Sequence, residues 1–226
     1  MPKSTPLYQA FFEDPKGLCG RRDDALIIDD IDSLETRLHL ITLAVILDSA
    51  PNPERWVELR KVQNHWLLDS SQVAYKHSKE VAQALRNSHI RAPQQSARVW
   101  WQICRGIKGR FNGSIRAFFQ ENGDDVTLVR QYFLESRTTF PVLSAETTSA
   151  RWLDLVHRHG KIELKNWETL RIPLDDQERK SAKSFGMDEE QLHPSLALAL
   201  RTWTYACHRL GTESCALAFC PHRKSE

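Results

Sequence analysis

Residues 140–187 hold the side chains whose types and spacing are best suited to chemistry. The segment FPVLSAETTSARWLDLVHRHGKIELKNWETLRIPLDDQERKSAKSFGM reads as a tight hairpin and an amphipathic helix. A polar loop follows, then a proline and two aspartates that open another helix. That order sets the hairpin's backbone donors and a carboxylate on opposite sides of one cleft. Asp175 and Asp176 come directly after Pro173-Leu174. The positive end of a helix dipole keeps such a carboxylate ionised and suits it to facing a cation. The same position is also that of an ordinary N-cap. The residues alone leave both readings open.

A second cluster, RVWWQICRGIKGRFNG at 98–113, mixes basic residues with aromatic rings and three glycines. On a glycine-punctuated loop, Arg105, Lys108 and Arg110 can reach successive phosphates while rings stack on exposed bases. The same cations also suit an acidic partner or a solvated turn. Trp100 or Trp101 reads first as a core anchor, because aromatic side chains bury large areas. In the tail ACHRLGTESCALAFCPHR, Cys207, Cys215 and Cys220 are three thiols. His208, His222 or Cys104 can complete a site by proximity, and mixed thiolate and imidazole ligands suit zinc. The alternative is a set of small buried side chains. His157 and His159 read as helix-terminal histidines favoured by the dipole, and Asp154 as a solvated or paired helix charge. The chain holds no P-loop, no dinucleotide glycine motif, no His-Glu-x-x-His and no nucleophile elbow.

The elements that must position these groups are helical. With 226 residues, 41% of them hydrophobic, the chain can bury a sizeable core. A net charge of +2 makes any nucleic-acid surface a local one. No apolar run approaches the roughly 18–20 residues of a membrane span. The N-terminus lacks the order of a secretory signal, and five cysteines do not form an extracellular disulfide pattern. A soluble, cytoplasmic, monomeric protein is expected.

Ser33 caps a helix with apolar residues Leu34, Leu38, Ile41, Val45 and Ile46. A second helix carries Trp56, Leu59 and Trp66; a third opens at Ser70 or Ser71 and ends near Ser88. Further helices are expected at 96–107, 114–121, 125–135, 149–159, 175–185 and 194–210. Residues 25–31 are the one strand-like stretch. The fold class is all-α, with a lead-in at 1–32, one bilobed domain at 33–210 and a cysteine-bearing tail at 211–226.

The hairpin PVLSAETTSARWL, the spacing to WETLRIPLDD and the cysteine-bearing tail together resemble the helix-hairpin-helix DNA glycosylase superfamily. That group includes endonuclease III and the 8-oxoguanine glycosylases, and the similarity covers the chain from about Arg98 onward. The resemblance implies a bilobed helical bundle that grips duplex DNA through hairpin backbone N–H groups, here at Ser144, Ala145, Thr147 and Thr148. It assigns Asp175, with Asp176 behind it, to steadying the sugar cation as a flipped base is cut away. It also implies a metal group at Cys207, Cys215 and Cys220, zinc or an iron–sulfur cluster, with no cofactor certain. Alanine stands at the usual hairpin glycine, Glu146 sits where a phosphate approaches, and 140–160 contains no lysine for lyase chemistry. The expected function is base excision with water as nucleophile. The alternatives are an inactive descendant that binds DNA or a protein partner, and a helical scaffold or regulator.

Overall fold

The computed structural model describes residues 31–47, 58–62, 64–90 and 94–171, together with 179, 180, 182 and 183. The chain divides into two compact units, one of residues 24–169 and one of 1–23 with 170–226. The elements named below belong to the first. The fold is all-α: among the described residues the only β pairing is an isolated parallel bridge between Asp125 and Lys165.

Helix α1, Leu34–Leu47, starts where Ser33 accepts the Thr36 N–H at 3.3 Å. Its sequence predicts one apolar stripe, yet every residue from Arg37 to Leu47 is buried. A helix covered on all sides belongs to the interior. Around it pack α4 (Gln94–Phe111), α5 (Ile115–Glu121) and α7 (Glu146–His159). Polar groups on α1 find partners in this interior. The Trp152 indole N–H donates to Thr42 Oγ1 at 2.8 Å, and that hydroxyl donates to the Leu38 carbonyl at 2.7 Å. Arg37 donates to the carbonyls of Ile31 at 2.6 Å and His159 at 3.3 Å.

Glu35 ties α1 to α5. Its carboxylate accepts the Ser114 hydroxyl and the N–H groups of Ile115 at 2.9 Å and Arg116 at 3.0 Å. Those amides have no partner within their own helix, and the negative charge faces the positive end of its dipole.

Helix α5 places Phe118 at the centre of a ring cluster. Phe133 of α6 (Val126–Glu135) stacks on it at 5.4 Å, and Phe111, Phe119 and Tyr132 meet it edge-on at 5.1–5.4 Å. Phe140 and Trp152 close the cluster, with Phe119 stacked on Trp152 at 5.1 Å. Four helices and the 136–145 connection therefore meet through aromatic faces and edges.

Several expected elements differ. The helix expected to run from Ser70 or Ser71 to about Ser88 is two, α2 (Ser70–Tyr75) and α3 (Ser78–Asn87). Asp69 caps the first through the Ser71 and Gln72 amides. His77 then turns extended, and Glu80 accepts its N–H at 2.8 Å, which restarts the helix with a new cap. The expected helix through Leu59 and Trp66 does not run on to Trp66: the chain turns at 61–62, and Trp66–Leu68 is a 3-10 turn begun by His65. Trp56 lies outside the described residues. Asp154 is paired, with Arg158 at 2.7 Å, as the second of its two expected readings has it, and is fully buried, not solvated. Of the strand-like stretch only Ile31 is described, and it is in no strand. Of the helices expected at 175–185 and 194–210, only residues 179, 180, 182 and 183 are described, all helical.

Two predictions follow from this interior. Phe118→Ala removes the central ring and should cost about 3–5 kcal/mol in denaturant unfolding; a loss below about 1 kcal/mol would contradict its central role. The second concerns His159, which burial first, then the charges of Arg158 and Arg37, push down to about 3 from an ordinary 6.5. Between those values the unfolded chain binds the proton more readily, so stability falls as the pH is lowered. His39, also lowered by burial, acts in the same direction. From pH 7 to pH 5, His159 alone should remove about 2 kcal/mol. Urea midpoints at the two pH values measure this, and the drop should be smaller in His159→Gln.

Candidate nucleic-acid interface

Residues 105–110 are helical, the last turns of the eighteen-residue α4: the helix expected at 96–107 runs on to Phe111, and the glycine-punctuated loop expected for the cations does not form. Helical geometry then separates the three cations. At about 100° per residue, Arg98, Trp101, Arg105, Lys108 and Asn112 follow one stripe at spacings of three and four. Arg110 falls on the opposite flank. There its guanidinium lies over the Tyr132 ring, 5.3 Å from the centroid, and donates to the phenol oxygen. Arg105 and Lys108 therefore share a surface that Arg110 does not.

Side chains fix the stripe locally. The Arg105 guanidinium sits 4.8 Å from the Trp101 ring centroid. Trp101 donates its indole N–H to the Lys76 carbonyl at 2.7 Å, which pins the ring to the junction of α2 and α3. Lys108 reaches Asn112 Oδ1 at 3.2 Å. Trp100, one residue away, is fully buried and donates to the Leu67 carbonyl at 3.0 Å, so it is the core anchor of the two. Helix α4 contains no acidic residue. From Arg98 to Lys108 the stripe runs roughly 15 Å along the axis, the rise of about four phosphates on one DNA strand.

The glycines of this region have structural reasons. A Cβ on Gly106 would stand 2.2 Å from Thr139 Cγ2, where the 136–145 connection crosses α4. Gln102 donates to the neighbouring Thr138 carbonyl. Gly113 has φ +90°, and a Cβ there would meet Ser71 Oγ at 2.2 Å. Ser70 donates to its carbonyl at 2.6 Å. Gly109 faces open space.

The hairpin residues lie at the end of that connection and the start of α7. The Ser144 N–H donates to Phe140 O at 3.0 Å and the Ala145 N–H to Val142 O at 3.2 Å. Ser144 Oγ donates to Pro141 O at 2.8 Å. These two amides are engaged within the turn itself, and Ala145 caps α7 without a side-chain bond. Thr147 and Thr148 are half-buried in its first turn. Glu146 is exposed and pairs with Arg130 at 2.8 Å. A phosphate at this turn would thus meet a carboxylate and two occupied donors.

Asp175, Asp176, Cys207, Cys215 and Cys220 lie outside the described residues. Cys104 is fully buried on the inner face of α4, and burial, reinforced by the Asp69 charge, holds its thiol well above the ordinary value. Among the described residues no group of three or more His, Cys, Asp or Glu side chains is placed to hold a metal. His157 stacks on Trp167 at 4.3 Å, and His159 is buried at the end of α7. Sequence reasoning missed Lys76, which reaches the stripe only through Trp101; no local signal pairs residues this far apart. No helix among the described residues is long and apolar enough to cross a membrane. In comparisons with protein families, curated proteins and solved structures, the chain matches none.

The glycine geometry yields a paired prediction. Gly109→Ala, at an open helical position, should stabilise the protein by about 0.5–1 kcal/mol. Gly113→Ala should destabilise it by about 1–2 kcal/mol through its backbone conformation alone. Thermal melts of both variants measure the opposite signs; if both changed stability in the same direction, the placement of α4's end would be wrong.

Proposed function

We propose that this chain is a helical DNA-binding protein that contacts the phosphate backbone through Arg98, Arg105 and Lys108 on α4. The observation that carries this reading is the acid-free stripe of the three cations, with Trp101 and Arg105 locked in contact. Phosphate contacts by cations release counterions and need no base sequence. The occupied amides of Ser144 and Ala145, with Glu146 beside them, favour a hairpin that helps build the domain over one that grips DNA.

Three phosphate contacts imply a salt slope near −3, or about a 40-fold loss of duplex affinity between about 50 and about 200 mM salt. Arg105→Ala combined with Lys108→Ala should reduce that slope by about 2, while Arg110→Ala leaves it nearly unchanged. Fluorescence anisotropy with duplex DNA measures both. Equal effects from Arg110 and from the pair would remove the stripe as the contact.

A second reading keeps base excision by a bilobed helix-hairpin-helix protein. It is favoured by α6 and α7 flanking the short 136–145 connection, and by the Pro173–Asp176 sequence. On this reading the protein leaves abasic sites in lesion-bearing duplexes, and Asp175→Asn abolishes that product without weakening DNA binding. No product across a broad lesion panel, from folded protein that binds DNA, leaves binding as the function.

A further inference from the structure

Beside the α4 stripe, rings and cations alternate across three elements. His65 lies against Trp66, with centroids 5.2 Å apart and planes tilted by 36°. Lys76 Nζ sits 5.7 Å from the Trp66 ring centroid, and the Lys76 carbonyl holds the Trp101 indole. Arg105 covers Trp101 in turn. Tyr75, next to Lys76 in the chain, is 81% exposed, the highest of the exposed large hydrophobic residues described. His65, Trp66 and Trp101 are half-buried, whereas Trp100 and Trp152 are in the core.

The core accounts for Trp100 and Trp152 but not for this row. An indole that only filled space would sit inside, as those two do. An exposed tyrosine beside a lysine adds nothing to packing. Purely electrostatic capture of duplex DNA uses the cations and leaves the rings idle. Unpaired bases use both, because each base offers a π face and each linkage a phosphate. Lys76 also meets Glu80 at 3.9 Å, a half-exposed contact that a phosphate can displace.

We propose that His65, Trp66, Tyr75, Lys76, Trp101 and Arg105 form a seat for single-stranded nucleic acid, the rings taking bases and the cations taking phosphates. This rests on the phosphate-binding reading of α4 and adds the class of strand preferred. The stripe and the row share Arg105, so a strand leaving the row continues along α4 toward Lys108. Recognition is by stacking and charge, independent of sequence.

The test compares a labelled oligo-dT with a blunt duplex of equal length, bound by the full chain at one salt concentration. Oligo-dT should bind at least about tenfold more tightly and quench tryptophan emission. Tyr75→Ala, which removes an exposed ring, and Trp66→Ala should each weaken oligo-dT binding about tenfold while leaving duplex affinity within about twofold. Circular dichroism confirms folding, and Tyr75→Ala keeps the test decisive if Trp66→Ala unfolds. Duplex binding as tight as oligo-dT overturns the seat, and so does unchanged oligo-dT binding by folded Tyr75→Ala. Displacement of the oligo-dT by polyglutamate as readily as by unlabelled dT also overturns it, pointing to an acidic protein partner. If the seat fails but Arg105→Ala with Lys108→Ala still weakens duplex binding, the phosphate reading stands; if the wild-type chain retains no nucleic acid, both fall.

Discussion

Phe118 is the contact on which the arrangement of this unit depends. Its ring meets side chains from α4, α5, α6, α7 and the connection between the last two. These are four consecutive helices with one connection, and this ring is touched by all of them. Aromatic pairs add directional preference to area burial, so the cluster fixes helix orientation as well as proximity. The route of residues 138–140 over Gly106 follows from that orientation. The engaged amides of Ser144 and Ala145 follow in turn.

The interior helix α1 supplies a second constraint of a different kind. A helix buried from Arg37 to Leu47 must satisfy its polar side chains without bulk water. Thr42 and Arg37 do so by bonding to backbone or to Trp152. In His39, Nδ1 donates to the Glu35 carbonyl at 2.7 Å, while Nε2 is buried with no bonding partner. That ring is held neutral, edge-on to Trp100 at 6.0 Å. The lowered His39 and His159 inside the core, and the lowered carboxyl of Asp69 at the start of α2, all make the protein less stable as the pH falls.

The proposed nucleic-acid contacts lie on what the core leaves outside. With the inner face of α4 occupied by Trp100, Ile103, Cys104, Ile107 and Phe111, its cations can only lie along the outer faces. The packing of α2 and α3 against α4 then brings Lys76 to Trp101. The stripe and the aromatic row result from one helix being packed on both flanks.

Short-range signals were legible in the sequence. Ser114 and Asp125 start α5 and α6 where expected, because a cap bonds to amides two or three residues away. The all-α class was legible for the same reason, through apolar spacing repeated along the chain. The break at Lys76-His77 was not, since histidine is an uncommon cap and Glu80 completes it. The complete burial of α1 was also hidden: LHLITLAVIL contains a stripe, but whether its other faces are covered depends on helices far along the chain. Arg105, Lys108 and Arg110 were singled out by type and grouped on one loop because of three glycines, whereas the helix sets Arg110 apart. Residue type is encoded at each position, so caps, periodicity and local charge could be read directly. Which surfaces meet depends on contacts between distant residues, Thr139 with Gly106, Ser71 with Gly113 and Lys76 with Trp101, and only tertiary packing decided them.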